Sequence, residues 1–233
     1  MVQSTHSGGS PAIEDYAKAI YKISERADGE PAGNSALAEA LSVSPGAVTA
    51  MLRRMHDEGL IDYVPYEGAS LTKAGERLAL EVMRHHRLIE TYLAEALGMP
   101  WDRVHEEAEV LEHYISEELE ELMAAALDDP ERDPHGDPIP SRELELAEDA
   151  GVALGDLEPG ARGVFVRVSD ANPEMLRYLA ARGISPGAGF EVLEREPFGG
   201  PLTVSIGGDT HALSDQLTGA MRVELAGADR ANR

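Results

Sequence analysis

Cysteine is absent from this chain of 233 residues, and so are long apolar runs. Without cysteine there are neither disulfide bonds nor thiolate metal sites, which fits a reducing cytoplasm. No apolar run approaches the ~18 residues of a membrane-spanning helix. The N-terminal MVQSTHSGGSP also lacks the apolar core of a signal peptide. These absences predict a soluble cytoplasmic protein that does not enter a membrane.

Basic residues are also scarce, since 20 Lys and Arg stand against 43 Asp and Glu, a formal net charge of −23. This balance ordinarily argues against nucleic-acid binding, because phosphate contacts need Lys and Arg. The acids are unevenly spread, however, and 19 of the 43 lie within residues 105–158. Between Glu39 and Asp57 there is no acid, while Arg53 and Arg54 are present. Because a binding surface is local, this stretch can still contact DNA.

The length allows one large domain or two small ones, each with its own core. Residues 1–12, rich in Ser and Gly, are predicted to be a disordered tail. Apolar residues at helical spacing then predict a first amphipathic helix over 11–26. A short second helix is predicted over 35–42, after the turn-forming sequence GEPAGN.

The third helix and the segment after it complete a recognisable motif. Ser44 suits the N-cap position and Pro45 the first position of a helix over 44–57, which Gly59 closes. The sequence LIDYVPYEGASLTKAG (60–75) reads as two short strands around a turn, a β-hairpin. Three helices followed by a hairpin predict a winged helix-turn-helix domain.

In a winged helix-turn-helix, the third helix enters the DNA major groove. The residues expected to face the base edges are Ser44, Pro45, Ala47, Thr49 and Ala50. Arg53 and Arg54 are expected near phosphates. No Arg, Asn or Gln occupies the first turns, so bidentate base recognition is predicted to be scarce. The alternative is a winged helix that serves only as a protein-interaction module.

Two long helices are predicted next, over 73–98 and 101–127, separated by GMP. In the first, His86 and Glu90 lie at i and i+4, beside a separate apolar face. A single pair of this kind is usually a surface pair. A matching arrangement on the second, antiparallel helix would allow the two faces to meet in space.

The second long helix carries that matching arrangement in HEEAEVLEHY, residues 105–114. At 100° per residue, its two histidines and two of its carboxylates project from one stripe beside the core face, namely His105, Glu109, Glu112 and His113. A solvated acidic face is one interpretation of this stripe. A metal site is the other, because His and Glu at these spacings converge on one cation.

The run LTKAGERLALEVMRHHRLIETYLAEALGMPWDRVHEEAEVLEHYISEELEELM, with LSVSPGAVTAMLRRMHDEGLI before it, resembles the diphtheria toxin repressor family of metal-dependent transcriptional regulators. HGDPIP (135–140) resembles the stretch that follows in that family, and the similarity covers about residues 11–140. Residues 155–226 more loosely resemble the family's SH3-like domain. Short β-type runs between Gly and Pro turns independently suggest a small β-barrel there.

The fold class expected from this resemblance is mainly α with a small β part. The predicted domains are a winged-helix DNA-binding domain over 13–75, a helical dimerisation and metal-binding domain over 76–140, a linker over 141–154 and an SH3-like domain over 155–233.

The resemblance also implies two metal sites per subunit. The positions that match the principal site are Asp15, Glu109, Glu112 and His113. Those that match the ancillary site are His86, Glu90 and His105. A residue of the SH3-like domain completes this site in some members; Glu174 is the choice here, with Asp170 and Asn172 as alternatives.

The implied metal is Mn²⁺, with Fe²⁺ as the alternative. Iron-responsive members carry Met and Cys where this chain has Asp15 and Glu109, and hard oxygen donors suit manganese. The manganese-responsive branch can place a second carboxylate one turn after the Asp, but here that position is Lys18. This departure favours two separate sites over a closely coupled two-manganese cluster.

By resemblance, the protein is a homodimer that binds a palindromic operator when a metal bridges its DNA-binding and dimerisation domains. A two-metal hydrolase is disfavoured because every candidate carboxylate is used as a ligand, so we do not expect an enzyme. The remaining alternatives are a metal storage or chaperone protein and a winged-helix regulator that senses another signal.

Overall fold

The computed structural model describes residues 10–147 and 151–226, which form two compact units. The described part of the first unit comprises residues 10–88, 109–126 and 140–146, and that of the second comprises residues 89–108, 127–139, 147 and 151–226. Most of the predicted disordered tail lies outside the described residues. Its last two residues, Pro11 and Ala12, begin the first helix.

Between residues 10 and 126 the structure contains six helices and one hairpin. In order they are α1 (Pro11–Arg26), α2 (Asn34–Ala40), α3 (Pro45–Asp57), β1 (Ile61–Val64), β2 (Gly68–Leu71), α4 (Lys73–Glu95), α5 (Val104–Leu111) and α6 (Glu117–Ala126). The three helices and the hairpin of the predicted winged helix-turn-helix are therefore confirmed within a residue or two. The division between the units falls inside α4 and inside α5.

Local sequence explains how α3 begins and ends. Ser44 Oγ accepts a hydrogen bond from Ala47 N at 3.3 Å, and Pro45 is the first helical residue, as predicted. After the helix, Gly59 adopts φ +75°, a left-handed conformation that favours glycine. The chain then enters the antiparallel hairpin, in which Ile61 pairs with Leu71.

One apolar core holds α1, α2, α3, the hairpin and the start of α4 together. Its largest fully buried side chains are Ile13, Ile20, Leu37, Leu52, Met55 and Ile61. Burial of each such side chain stabilises the fold by roughly 1.5–3 kcal/mol. Helices α1 and α3 thus contribute side chains to the same core.

The prediction of one long helix over 101–127 is wrong, because the structure has two helices in this segment. Helix α5 ends at Leu111, and Ser116 caps α6 by accepting a hydrogen bond from Leu119 N at 3.3 Å. Three glutamates in the first turn of α6 are favoured by the helix dipole. Glu112 and His113 therefore lie in the turn between the helices and not on a helical stripe.

The β part of the second unit is a six-stranded antiparallel sheet with strand order β3-β8-β4-β5-β6-β7. Its elements are β3 (Val152–Ala153), β4 (Arg162–Val168), α7 (Pro173–Ala180), β5 (Gly189–Arg195), β6 (Leu202–Ile206), β7 (Asp209–Leu213), α8 (Asp215–Ala220) and β8 (Met221–Leu225). A separate core includes Phe165, Leu179 and Val204. The short β-type runs of this region, GVFVRVS, GFEVLER, PLTVSIGG and AMRVEL, contain β4, β5, β6 and β8, as expected.

Within the described residues, no single helix is both long and apolar enough to cross a membrane. The bent pair α2 and α3 meets the length and composition criteria only when taken together, with a bend of 108°. Leu37, Leu52 and Met55 of this pair are fully buried in the core of the first unit.

Candidate metal centre

Three predicted ligands of the principal site lie together in the first unit. Asp15 comes from α1, and Glu112 and His113 come from the turn after α5, with one ligand atom of each lying within 4.8 Å of the others. His113 Nε2 lies 3.1 Å from Asp15 Oδ1 and 3.7 Å from Glu112 Oε1. The break between α5 and α6 makes this possible, because the turn directs both side chains towards α1.

A fourth side chain, Glu14, orients the histidine of this group. His113 Nδ1 lies 2.6 Å from Glu14 Oε2. A carboxylate accepts hydrogen bonds, so Nδ1 donates to Glu14, and Nε2 is the ring nitrogen that faces Asp15. The sequence analysis predicted no role for Glu14. Adjacent side chains on a helix point about 100° apart, and Asp15 was the residue expected to be the ligand.

The predicted ligands Glu109 and Glu112 are joined by a lysine. Lys18 Nζ donates to Glu109 Oε1 at 2.8 Å and to Glu112 Oε1 at 2.5 Å. Burial works against the charged form, but the two carboxylates outweigh it and raise the pKa of Lys18 above its ordinary value. The lysine therefore remains an ammonium ion inside the cluster.

His86, predicted for the ancillary site, contacts the principal ligands. Its Nδ1 lies 2.5 Å from Glu112 Oε2 and 3.7 Å from Glu109 Oε1. His86, Glu109 and Glu112 form a second group whose ligand atoms lie within 4.8 Å of one another. Glu112 is 1% exposed and belongs to both groups of the first unit.

The electrostatics of this cluster favour a cation. Burial raises the pKa of Asp15; His113 and Lys18 oppose the rise, while Glu112 and Glu109 add to it. The donors are carboxylate oxygens and imidazole nitrogens, which suit Mn²⁺ and Fe²⁺. The residues present thus fit the divalent cation that the resemblance implies.

The second unit brings together Glu90 of α4, His105 of α5 and Asp170, which follows β4. His105 Nδ1 lies 3.2 Å from Glu90 Oε1 and 3.2 Å from Asp170 Oδ2. Hydrogen bonds to Asp170 and to Glu90 raise the pKa of His105 to about 10, against the effect of burial. The structure thus places two predicted ancillary ligands beside one SH3-like-domain residue.

Of the three candidates in the SH3-like domain, the residue beside His105 is Asp170 and not the preferred Glu174. Glu174 is exposed in the first turn of α7. Asn172 caps that helix by accepting hydrogen bonds from the backbone nitrogens of Glu174 and Met175. The reason is conformational: α7 starts directly after Asn172, so Glu174 is held at a helix end while Asp170 stays in the preceding turn.

The second unit also contains a buried group that sequence reasoning missed, formed by Glu90, Asp133 and His135. His135 Nε2 donates to the carbonyl of Trp101 at 2.8 Å, and its Nδ1 lies 3.8 Å from Glu90 Oε2. In the same HGDPIP stretch, Gly136 has φ +92°, and a Cβ there would lie 1.9 Å from Val166 O. In the sequence, the only sign of this group is the similarity of HGDPIP to the family, which by itself gives the histidine no role.

The predicted DNA-contacting face of α3 is largely exposed, including Ser44, Pro45, Ala47, Ala50, Arg53 and Arg54. Thr49 differs, because its hydroxyl accepts from Asn34 Nδ2 at 3.0 Å and donates to Pro45 O at 3.1 Å. The hydroxyl of Thr49 therefore links α3 to α2, and its methyl group is the part that can contact the edge of a base. Arg54 Nε donates to Glu58 Oε1 at 2.8 Å, a bond within one helix.

Around the α5–α6 break, the first unit exposes several large apolar side chains. They are Val110, Leu111, Tyr114, Leu119 and Leu122, with Tyr114 70% and Leu122 62% exposed. Apolar side chains grouped in this way are typical of protein–protein interfaces.

Three family models match successive parts of the chain. The model of the iron-dependent repressor N-terminal DNA-binding domain matches residues 10–69, and that of the iron-dependent repressor metal-binding and dimerisation domain matches residues 72–141. The FeoA domain model matches residues 152–225. The domain order is the one expected from the resemblance.

Individual relatives extend this similarity over nearly the whole chain. The diphtheria toxin repressor of Corynebacterium efficiens is 31% identical over 222 residues, covering 91% of this chain and 94% of the relative. The iron-dependent repressor IdeR of Mycobacterium tuberculosis is 33% identical and covers 91% and 96%. A solved manganese-dependent transcriptional repressor in complex with manganese has a TM-score of 0.82 and 37% identity, covering 92% and 100%.

Proposed function

The chain belongs to the diphtheria toxin repressor family of metal-dependent transcriptional regulators, and from this premise we propose that Mn²⁺ activates its operator binding, with Fe²⁺ as the alternative. The observation that carries the proposal is the position of His113. This residue of the metal-binding and dimerisation segment faces Asp15 and Glu14 of the DNA-binding segment. The oxygen-rich donor set supports manganese.

We assign the principal site to Asp15, Glu109, Glu112 and His113. A divalent cation bound there would neutralise the carboxylates and tie α1 to the turn after α5. Within the chain, Glu14 holds the His113 ring so that Nε2 faces Asp15. Lys18 offsets part of the repulsion among the acids when no metal is present.

Activation follows from the shared core of the first unit. Asp15 lies on α1 beside Ile13 and Tyr16, which pack in the same core as Val48 and Leu52 of α3. Fixing α1 therefore restricts where α3 can lie. Metal binding favours the DNA-competent arrangement of a two-state ensemble, because the ligands are brought together only in that arrangement.

For the ancillary site we propose Glu90, His105 and Asp170, with Asp133 and His135 as the alternative partners of Glu90. His86, one turn before Glu90 on α4, remains a proposed ligand of this site, as the resemblance implies, and it also shares a hydrogen bond with Glu112. This gives two metal ions per subunit.

The DNA ligand we propose is a palindromic operator read by a homodimer. The exposed apolar side chains around the α5–α6 break suit an interface with a second copy, and they fall within the segment that matches the dimerisation-domain model. A two-fold dimer presents two α3 helices and so fits two half-sites related by symmetry.

A DNA-binding titration with Mn²⁺, Fe²⁺ (anaerobic) and Zn²⁺, beside a metal-free control, tests the proposal. We expect operator binding with Mn²⁺ and none without metal. The Glu109→Ala variant should no longer bind the operator in response to metal. It should keep its fold, since 40% of the Glu109 side chain is exposed. Operator binding that is equally tight without metal would overturn the proposal, and normal binding by Glu109→Ala at limiting Mn²⁺ would overturn the ligand assignment.

A further inference from the structure

The buried ring of His85 on α4 contacts the chain on both sides of the α5–α6 break. Its Nδ1 lies 3.1 Å from the carbonyl oxygen of Glu112 in the turn, and its Nε2 lies 3.0 Å from Glu120 Oε2 in the first turn of α6. His85 is 8% exposed. A carbonyl oxygen accepts hydrogen bonds, so Nδ1 donates to Glu112. His85 therefore joins the turn that carries Glu112 and His113 to the helix that follows it.

Glu120 is itself held by a second partner. Its Oε1 accepts a hydrogen bond from Arg84 Nε, and the Arg84 guanidinium also donates to the carbonyl of Pro140 at 2.7 Å. Burial works against the charged carboxylate, but the hydrogen bonds from His85 and Arg84 outweigh it and lower the pKa of Glu120 below its ordinary value. Ion pairs as buried as these are screened little by salt. Glu120 is therefore a fixed anchor for the His85 ring.

The carbonyl of Glu112 needs a partner from elsewhere because α5 has ended at Leu111. The last carbonyls of a helix have no donor within that helix. The peptide group is planar, so the direction of the Glu112 carbonyl also sets the direction of the nitrogen of His113. The side chains of Glu112 and His113 project from the two ends of this peptide group. Its orientation therefore decides whether both of them face α1.

We propose that His85, anchored by Glu120, is a positioning residue for the principal metal site. It acts by holding the peptide group between the ligands Glu112 and His113, and it gives no atom to the metal ion. The proposal rests on the proposed function, because it concerns ligands of the same site. Without this contact the peptide group can rotate, the ligand atoms are less often in the arrangement that a cation needs, and the affinity for Mn²⁺ falls.

The test measures Mn²⁺ affinity by electron paramagnetic resonance titration in a Glu90→Gln parent, which lacks a proposed ligand of the ancillary site. Two substitutions of His85 each keep one of its contacts. The amide nitrogen of His85→Asn takes the place of Nδ1 and can still donate to Glu112, whereas that of His85→Gln takes the place of Nε2 and reaches only Glu120. We expect the dissociation constant to rise roughly 10-fold in His85→Gln and by less in His85→Asn.

The role of Glu120 as the anchor is tested by combining substitutions. Glu120→Gln alone should weaken Mn²⁺ binding, because a neutral amide replaces the ionised partner of His85. Added to His85→Gln it should cause little further loss, since the contact with Glu112 is already gone. Glu118→Gln, at an exposed position of the same helix, is the matched control for charge and should bind Mn²⁺ as the parent does. Full addition of the two losses, or an equal loss in Glu118→Gln, would overturn the proposal.

A merely structural role of His85, in packing α6 against α4, predicts a different result. Met123→Ala removes a buried side chain of α6 and should lower the stability of the metal-free protein, but leave Mn²⁺ affinity unchanged. The absorption spectrum of Co²⁺, bound in place of Mn²⁺, gives a second readout. This spectrum should change in His85→Gln at saturating Co²⁺, because the ligands are held differently, and should not change in Met123→Ala.

An unchanged Mn²⁺ affinity in a folded His85→Gln protein, or an equal loss of affinity in Met123→Ala, would overturn the proposal. If His85→Gln does not fold, the affinity of Glu120→Gln decides in the same way, since that substitution changes the charge and hardly the volume. Operator binding that needs no metal would overturn the proposed function instead and leave these affinities as expected.

Discussion

The two ring nitrogens of His113 face different acids of the same helix, with Nδ1 2.6 Å from Glu14 Oε2 and Nε2 3.1 Å from Asp15 Oδ1. The hydrogen bond to Glu14 fixes the orientation of the ring. A carboxylate in this position also makes the second nitrogen a better ligand. Glu14 is therefore a positioning residue for the metal ligand His113.

We predict that Glu14→Ala raises the Mn²⁺ concentration for half-maximal operator binding by roughly 10- to 100-fold. Glu14→Gln should have a smaller effect, because its amide oxygen still accepts from Nδ1. Glu25→Ala, an exposed glutamate on the same helix, is the control and should leave the value unchanged. An unchanged value in Glu14→Ala would show that the ring is oriented by other contacts.

The DNA affinity of so acidic a chain should depend on a few local cations, chiefly Arg53 and Arg54. Arg54 is bonded to Glu58, but an exposed pair of this kind is weak and can re-form with a phosphate. Arg53→Ala or Arg54→Ala should weaken binding to all sequences and flatten the salt slope by about one unit per lost phosphate contact. Arg142→Ala is the exposed control. An unchanged slope in both α3 variants would place the DNA surface elsewhere.

His105 makes stability depend on pH. Because its pKa in the folded protein is about 10, against 6.5 for the unaffected group, the native state holds a proton that the unfolded state loses in this range. The stabilising contribution is complete below about pH 6.5 and is lost as pH rises towards 10. Urea unfolding of the metal-free protein should therefore show stability falling over this range.

The pKa of His135 is also raised, to about 9, so this residue contributes to the pH dependence of stability as well. Asp170→Asn separates the contribution of His105 from that of His135. The substitution removes the carboxylate that contributes most to the His105 shift, so the decline of stability with pH should become shallower. Equal slopes in the two proteins would show that His105 does not carry the dependence.

The elements of the winged helix-turn-helix could be predicted from the sequence because their signals are local. Ser44 and Pro45 mark the start of α3, and the strand-forming residues beside a turn mark the hairpin. The break at Ser116 also has a local signal, its N-cap and the acids after it, but the continuous His and Glu spacing concealed it. That spacing suggested one helix through His113.

The ligand cluster was less predictable because its contacts join distant parts of the chain. Lys18 could be identified as a departure from the family pattern, but only the fold shows its bonds to Glu109 and Glu112. Likewise, His135 and Asp170 approach Glu90 and His105 through loops whose course depends on packing. Periodicity alone does not encode such contacts.

The exposed apolar side chains near the α5–α6 break should hold the dimer together. Leu122→Glu, at a position 62% exposed, should leave the fold intact and shift the protein towards monomer, because a charge would be buried in the interface. Analytical ultracentrifugation measures this shift, and Phe198→Glu in the SH3-like domain is the control. A Leu122→Glu protein that remains fully dimeric would place the interface elsewhere.

The last prediction concerns metal choice, where this chain departs from the iron-responsive pattern. Asp15 and Glu109 offer hard, anionic oxygens, whereas Met and Cys at these positions would offer polarizable sulfur. We expect Asp15→Met with Glu109→Cys to shift the response from Mn²⁺ towards Fe²⁺ and to retain metal sensing. The thiolate introduced by Glu109→Cys would also keep an anion near Lys18, which now bonds to Glu109.

The competing explanation is that geometry and the side chains behind the ligands set the preference, in which case the double substitution simply disrupts the site. Glu14 and Lys18 are such side chains, and both are left in place. The measurement is the concentration of each metal for half-maximal operator binding, made anaerobically for Fe²⁺. A double variant that still functions with an unchanged Mn²⁺-to-Fe²⁺ ratio would show that Asp15 and Glu109 do not set metal preference.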